Sequence, residues 1–454
     1  MSFESLRQQL PSAYEAKKYD DYYDGKTRLD ALGVNIPPEV RVLELVAPFP
    51  RLAVDVLAEV LTFVGFTLGE NSDDERLAYL KRAFQVNRMD TAIRMAIIDS
   101  LVQGGAFFIV GPGEPVPRIT VHPRCNVTVD YDWMGRPTEA LVRWRTSEDK
   151  LGRRMSHYTP GKIDVYKYAQ GQWVLDEEQS RETGIDEITV VPMWNKSRIT
   201  DFTGRSEMAD TMKLADGASR TLTGMQVAQE LEVMPKRWIF ADGIAQALQA
   251  SGQSKLEAYM GYLNLGPEGG KVQQLNGASL DPLINSFKLY AQIISAATGI
   301  PPSMLGITTD NPASAEAMRV AKERLSSKGE AKQSMFGDAL EDLARLVLKV
   351  AEKSVDGLES LETVWRDVAT PSKSSQQSMA LQAFQAGAIG ARTMRDFLDL
   401  TPAQRQREDD RETTMTGTRQ RAVNRANTGD AGSARSDPAS VSAPDPSSDA
   451  DGTG

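Results

Sequence analysis

The sequence predicts an α+β protein: a helical chain with a β-rich insertion, followed by a helix, a polar loop and a long helix. Three observations predict it. Apolar residues recur at helical steps before about residue 110 and again after about residue 206. Between Ala106 and about Trp194 the pattern changes to short runs rich in β-branched and aromatic residues, separated by Gly and Pro clusters. Last, Thr298-Gly-Ile-Pro-Pro-Ser-Met-Leu-Gly306, with Ile-Thr-Thr-Asp-Asn-Pro-Ala-Ser-Ala-Glu316 after it, is a polar, Gly/Pro-punctuated break between two helical patterns.

Taken in order, Ala53, Leu57, Val60 and Leu61 form one early apolar face, and Ala92, Ala96 and Asp99 mark another helix. Strand-like runs follow at Ala106-Phe-Phe-Ile-Val110, Ile119-Thr-Val121, Val127-Thr-Val129, Ala140-Leu-Val-Arg-Trp144, Ile163-Asp-Val-Tyr166 and Ile188-Thr-Val-Val191, which predict a mostly antiparallel region. A helix is expected from about Ser206 to Val233, with Ala215, Ala218, Leu222, Met225 and Ala228 along one side and Pro235 as its stop. Residues 235 to about 280 are mixed, with Trp238-Ile-Phe240 and the turn-forming Gly266-Pro-Glu-Gly-Gly270. Leu283, Phe287, Tyr290, Ile294 and Ala297 then trace a helix that Pro301-Pro302 ends. Ser314 stands in an N-cap-like run before Glu316, and Met318, Ala321, Leu325, Met335, Ala339, Leu343, Leu346 and Val350 carry a long stripe. Ser326-Ser327, Gly329 and Gly337 weaken that helix by about 1 kcal/mol per Gly. Two readings are open there: a kink, or tolerated surface glycines. A smaller helical segment is expected at about 374 to 400, and the polar stretch from about 413 reads as a disordered tail.

A chain of 454 residues has room for two or three domains, and 41 % hydrophobic with 25 % charged residues is ordinary for a globular protein. The net charge of −10 argues against a conventional nucleic-acid binder, since such proteins neutralise phosphates with cations. An acidic chain can still touch DNA where the contact is weak and sliding. The single Cys125 excludes an intrachain disulfide, and the N-terminal Met-Ser-Phe-Glu-Ser-Leu has no signal-peptide pattern. The apolar window from Val42 to Phe66 contains Glu44, Pro48, Pro50, Arg51, Asp55 and Glu59, so no membrane span is expected. Asn126-Val-Thr and Asn195-Lys-Ser match the glycosylation pattern but carry no weight without secretion.

The sequence holds no catalytic constellation. His122-Pro-Arg-Cys125 offers half of a zinc site, but His157 is the only other histidine. The same shortage argues against a Ser-His-Asp triad, and no Gly-x-x-x-x-Gly-Lys-Ser/Thr phosphate cradle exists. Asp130, Asp132 and Asp186-Glu187 could bind Mg²⁺ or form solvated turns. Arg319, Lys322, Lys328 and Lys332 follow the loop along one helical sector; they could brush a phosphate backbone, or pair on the surface with Glu316, Glu323 and Glu330. Lys236, Arg237, Trp238 and Phe240 could form a docking patch or pack as an ordinary strand.

Ordered matches run from about residue 14 to about residue 400. They comprise Tyr22-Tyr-Asp-Gly25 with Leu32-Gly33, Pro50-Arg-Leu-Ala-Val-Asp-Val-Leu-Ala-Glu59 ending in Val64-Gly-Phe66, Asn87-Arg-Met-Asp90, and Asp99-Ser-Leu-Val-Gln-Gly-Gly-Ala-Phe-Phe-Ile-Val110. Gly204-Arg-Ser-Glu207, Met225-Gln-Val-Ala-Gln-Glu230 and Pro235-Lys-Arg237 continue the set up to the helix–loop–helix. In that order they resemble the portal proteins (head-to-tail connectors) of tailed bacteriophages, in the actinophage-like branch of the SPP1-type family. Pro50 to Phe66 as a whole is similar to the family's second helix.

The resemblance implies a portal fold. Its parts would be a wing (1–205), a first stem helix (206–234), a clip (235–280), a second stem helix (281–300), a tunnel loop (301–316), a long kinked helix (317–352), a crown (353–412) and the tail (413–454). It implies a ring, usually of twelve copies, at one capsid vertex of the virion after assembly in the host cytoplasm. The ring would form the channel for genome packaging and ejection. Implied partners are copies of itself, the major capsid and scaffolding proteins, the large terminase subunit, a head–tail adaptor and double-stranded DNA read without sequence specificity. No cofactor, metal, membrane or enzymatic activity is implied. Thr308, Thr309, Asp310, Asn311 and Ser314, with Arg319 and Lys322 behind them, would face the DNA channel, and the patch from Lys236 to Phe240 would lie in the clip. The rivals are a non-portal head or scaffold protein and a metal-dependent nuclease.

Overall fold

The computed structural model describes residues 3–29, 44–69, 74–144, 152–201, 203–231, 236–240, 271–275, 279–307, 315–368 and 373–390, with isolated positions beyond. Helices α1 (Phe3–Gln9), α2 (Ala13–Asp24) and α3 (Phe49–Val60) come first. Ser12 caps α2 by accepting the Glu15 amide at 3.1 Å. Strand β1 (Phe63–Leu68), helix α4 (Glu75–Val86) and helix α5 (Met89–Gln103) follow.

Here one expectation is corrected. Val64-Gly-Phe66 does not finish a helix; it lies in β1. Phe63 and Phe66 sit 6.2 and 5.2 Å from the Phe84 ring, and Phe63 packs at 5.7 Å on Trp365, contacts that an extended backbone provides.

The β-rich region is β2 (Gly105–Gly111), β3 (Arg118–Pro123), β4 (Val127–Tyr131), β5 (Pro137–Trp144), β6 (Arg154–Thr159), β7 (Lys162–Ala169), β8 (Gln172–Leu175), β9 (Arg181–Glu182) and β10 (Val190–Trp194). It folds as a three-stranded sheet, β10-β2-β3, beside a larger sheet ordered β4-β5-β6-β7-β8 with β9 on β7. All these pairs are antiparallel, as the strand pattern predicts. Strand β2 is buried on both faces, and its alternation explains how. Ala106, Phe108 and Val110 join the helical core, while Phe107 and Ile109 join a second cluster with Val127, Val142 and Ile163.

Next come α6 (Met212–Leu231), β11 (Lys236–Phe240), β12 (Lys271–Leu275), α7 (Asp281–Thr298), α8 (Ala315–Val350), β13 (Leu361–Trp365) and α9 (Lys373–Gln385). Helix α8 runs as one element over 36 residues. Its buried Phe336, Leu340, Leu343 and Val347 belong to the main core with Leu57, Leu80, Ile97 and Leu101.

Neither glycine of α8 is a tolerated surface residue. A Cβ at Gly337 would stand 2.5 Å from Thr363 Oγ1, and one at Gly329 would stand 3.0 Å from Val368 Cγ1. Both let the segment around β13 approach the helix. That segment is held by the Thr363 amide donating to Glu341 Oε1 at 3.0 Å and by the pairing of β13 with β1. Residues Met1–Ala369 form one compact unit and Thr370–Gly454 a second, in which α9 is the described helix. No described helix is long and apolar enough to cross a membrane.

Candidate functional site

The helix–loop–helix is built on a small apolar cluster. Ala215 and Ala218 of α6 meet Ala291 and Ile294 of α7, together with Phe49 and Ala53 of α3. Small residues let these backbones come close, and Phe49 stacks on Phe287 with ring centroids 5.5 Å apart. Ile300 and Leu305, just past α7, are buried in the same cluster and anchor the turn.

Local hydrogen bonds fix that turn. Gly299 takes the left-handed conformation (φ 79°) that ends a helix, and its amide donates to Ser295 O at 2.9 Å. Ser295 Oγ donates to Ile300 O at 2.6 Å. Pro301 then forces an extended step, and Pro302–Leu305 make one 3₁₀ turn closed by the Ile307 amide on Pro302 O at 3.1 Å.

The long helix grips this same C-terminal end of α7. Arg324 Nη1 donates to Ala296 O at 2.7 Å, and Lys328 Nζ donates to Thr298 O at 3.2 Å. Carbonyls in the last turn of a helix lack intrahelical partners and carry the negative end of its dipole, so cations stabilise them. Lys328 also pairs with Glu207 Oε1. Lys332, 8 % exposed at its side chain, lies 3.4 Å from Glu207 Oε2 and donates to Asn195 Oδ1. Asn195 Nδ2 in turn donates to Arg205 O at 2.8 Å.

This corrects both sequence readings of the basic sector. Lys328 and Lys332 are neither a DNA-facing stripe nor surface partners of neighbouring glutamates. They turn inward onto one carboxylate, only 13 % exposed. Asn195, which matches a glycosylation pattern, is 1 % exposed and belongs to the same network. Burial opposes ionisation of Glu207, but the charges of Lys328 and Lys332 outweigh it and hold the carboxyl below its ordinary range. Burial likewise pulls Lys332 below its usual value, against the attraction of Glu207.

Glu207 is placed by an unusually close crossing of two backbones. Its amide donates to Leu101 O at 2.8 Å, and the Asn195 amide donates to Gly104 O at 2.9 Å. Gly104 (φ 90°) and Gly204 (φ 66°) face each other there, and a Cβ on Gly204 would collide with the Gly104 carbonyl. Trp194 covers the crossing, with the Arg124 guanidinium 5.7 Å from its ring centroid.

The loop residues Thr308, Thr309, Asp310, Asn311 and Ser314 lie outside the described residues. Arg319 falls in the first turns of α8, and Lys322, exposed, follows it on the same helix. Lys236, Arg237, Trp238 and Phe240 lie on β11, which pairs antiparallel with β12. Arg237 occupies the alternate strand position from the other three. His122 lies 3.1 Å from Thr120 Oγ1, whereas His157 pairs with Glu139 at 3.0 Å on the other sheet, so the two histidines are not brought together. Asp132 Oδ1 accepts the Met134 and Arg136 amides and shapes the β4–β5 turn, and Glu187 pairs with Lys349. Among the described residues no group of three or more His, Cys, Asp or Glu could hold a metal ion.

Sequence reading missed the Glu207–Lys328–Lys332–Asn195 network. Its signal was present: Gly204-Arg-Ser-Glu207 stood out as a motif, but nothing local tied its carboxylate to lysines far along the chain.

This chain has relatives among known proteins. Two solved structures of gene transfer agent (GTA) particles align with it. One, titled as the virion of the native particle, has a TM-score of 0.48 at 15 % identity, covering 86 % of this chain and 100 % of that one. The other, the neck of the empty particle, has a TM-score of 0.49 at 16 % identity, covering 78 % and 90 %. The portal protein of Mycobacterium phage D29 is 32 % identical over 405 residues, 84 % of this chain and 82 % of the relative. That of Mycobacterium phage L5 is 32 % identical over 431 residues, 89 % and 87 % respectively. The family described as phage portal protein, SPP1 Gp6-like, matches residues 8–412, a span that takes in the glycine crossing, the Glu207 network and the whole helix–loop–helix. The chain belongs to that family of phage portal proteins.

Proposed function

We propose that this chain assembles into a closed ring, with twelve copies the expected number, that sits at one capsid vertex of the virion and passes double-stranded DNA. One observation carries the reading. Helix α7 buries one face in its own subunit through Ala291 and Ile294, yet has a second apolar stripe at Leu289, Ile293, Ala296 and Ala297 that is exposed. Leu289 is 56 % and Ile293 42 % exposed. The spacing i, i+4, i+7, i+8 is that of a helix with a partner on that side. A neighbouring copy covering this face makes a heterologous contact, and such contacts form rings when the rotation between copies closes. Replacing Leu289 and Ile293 together by Lys is expected to leave a folded monomer by circular dichroism and to abolish the ring by light scattering. Rings of unchanged size would remove this face from the interface.

In this reading 1–205 and the long helix (317–352) form the wing, 206–234 and 281–300 the stem, 235–280 the clip, 301–316 the tunnel loop and 353–412 the crown. The clip, with Lys236, Arg237, Trp238 and Phe240, docks the terminase and later the head–tail adaptor, and the outer surface meets capsid and scaffolding proteins. The charge of −10 per copy suits a conduit. Duplex DNA carries one charge per about 1.7 Å, so a strongly basic channel would hold it fast. Thr308, Thr309, Asp310, Asn311 and Ser314 supply small polar contacts of short lifetime, with Arg319 and Lys322 behind them. Deleting Thr309–Pro312 is expected to leave ring assembly near normal and to reduce packaged DNA per head. Loss of rings with normal packaging per assembled head would make the loop an assembly element instead.

A further inference from the structure

A cavity of about 190 Å³ opens between α2 and the end of α5. Pro11, Ala16 and Tyr19 line it from one side, Gln103 and Arg124 from the other. Lys18 and Glu15, both exposed, complete the lining.

Arg124 is the unusual member. Its Nη1 donates to Gln103 O at 2.8 Å, and its guanidinium lies 5.7 Å from the Trp194 ring centroid. Those contacts fix its position. Among the described residues they leave Nε and Nη2 without a hydrogen-bond acceptor, and no carboxylate forms an ion pair with the group. Burial pulls its pKa below the usual value, with Tyr19 and Glu15 acting against that pull. A partly desolvated cation without a counter-ion costs free energy that an incoming anion offsets.

The lining sorts the anions. Arg124 and Lys18 bring two positive charges and Glu15 one negative charge. Asp20 does not line the cavity; its Oδ1 accepts Gln103 Nε2 at 2.8 Å. One further negative charge therefore balances the lining, which favours a carboxylate over a phosphate dianion. The Nε–Nη2 edge of a guanidinium offers two parallel N–H bonds, the geometry a carboxylate accepts. The Tyr19 hydroxyl, without a partner among the described residues, adds a neutral donor. Pro11 and Ala16 suit an aliphatic stem. A protein cavity of about 150 Å³ holds benzene, so a short aliphatic acid fits here.

We propose that the α2–α5 cavity is a carboxylate site: Arg124 holds the carboxylate side-on, Lys18 closes over it and Tyr19 donates its hydroxyl. The carboxylate is that of a free aliphatic acid or of an acidic side chain on a docking protein. The site lies within one subunit, so it stands or falls separately from the ring.

The test titrates the purified full chain with glutarate, with N-acetyl-glutamyl amide and with inorganic phosphate, read by saturation-transfer NMR. Saturable glutarate binding is expected, and phosphate should bind more weakly. Lys18→Gln should weaken glutarate about three- to ten-fold. Glu15→Gln should tighten it about two- to five-fold, because a competing like charge is removed. Arg124→Lys should weaken it about ten-fold, since the side-on fork is lost. Arg124 also supports Gln103 O and Trp194, so the two exposed positions carry the test if that variant misfolds. N-acetyl-glutamyl amide binding as tightly as glutarate points to a protein side chain as the source; glutarate binding alone points to a free acid. No saturation by glutarate up to about 50 mM would overturn the site. So would phosphate binding as tightly, or a glutarate affinity unmoved by both Lys18→Gln and Glu15→Gln.

Discussion

Glu207→Ala is expected to destabilise the folded subunit by about 3–5 kcal/mol, chiefly the cost of leaving the buried Lys332 ammonium without its charge partner. Lys332 has few alternatives, since Asn195 Oδ1 is the neutral acceptor it also uses. Lys328 retains Thr298 O. Chemical denaturation of the subunit measures the loss, and Glu207→Ala combined with Lys332→Met should recover a substantial part, because the second change removes the orphaned charge.

The same carboxylate sets an acid limit. Its folded pKa is lowered, so its contribution is complete above the ordinary glutamate range and disappears as pH falls through the lower, folded value. Wild-type stability should therefore fall more steeply than that of the Glu207→Gln variant as the solution is acidified through that window. Parallel curves would show that Glu207 is not held ionised by the two lysines.

Gly204→Ala is the second large effect. A side chain at φ 66° is strained and would meet the Gly104 carbonyl, which another short backbone bond holds in place. Left-handed strain of about 1–2 kcal/mol plus overpacking of about 1–3 kcal/mol gives an expected loss of about 2–5 kcal/mol. Gly224, inside α6 with nothing within 4 Å of a built Cβ, is the internal comparison. Gly224→Ala should be neutral or stabilising by up to about 1 kcal/mol. Equal midpoints for the two variants would refute the backbone-crossing argument.

What could be read from the sequence divides along physical lines. Helix and strand periodicity placed α3, α5, the antiparallel sheets, α6, α7 and α8, because local burial alternates with the element's own period. Pro301-Pro302 announced the turn at the end of α7. Periodicity does not report partners distant in the chain. Thus β1 was absorbed into the end of a helix, although its strand state is fixed by β13 and by Trp365. Gly337 resembled a helix weakness, although Thr363 across the interface is what requires a glycine. Lys328 and Lys332 looked like a surface stripe because their spacing is helical and their carboxylate lies in another segment. The residues Thr308 to Ser314, proposed to face the DNA channel, were named by family resemblance alone, and they lie outside the described residues.

Electron micrographs of the purified full chain, viewed along the particle axis, test the central proposal most directly. Closed rings with a central hole wide enough for duplex DNA are the predicted result, and averaging would count the copies. A uniformly monomeric protein, or open filaments without closure, in the presence of the proposed capsid and scaffolding partners as well as alone, would contradict it.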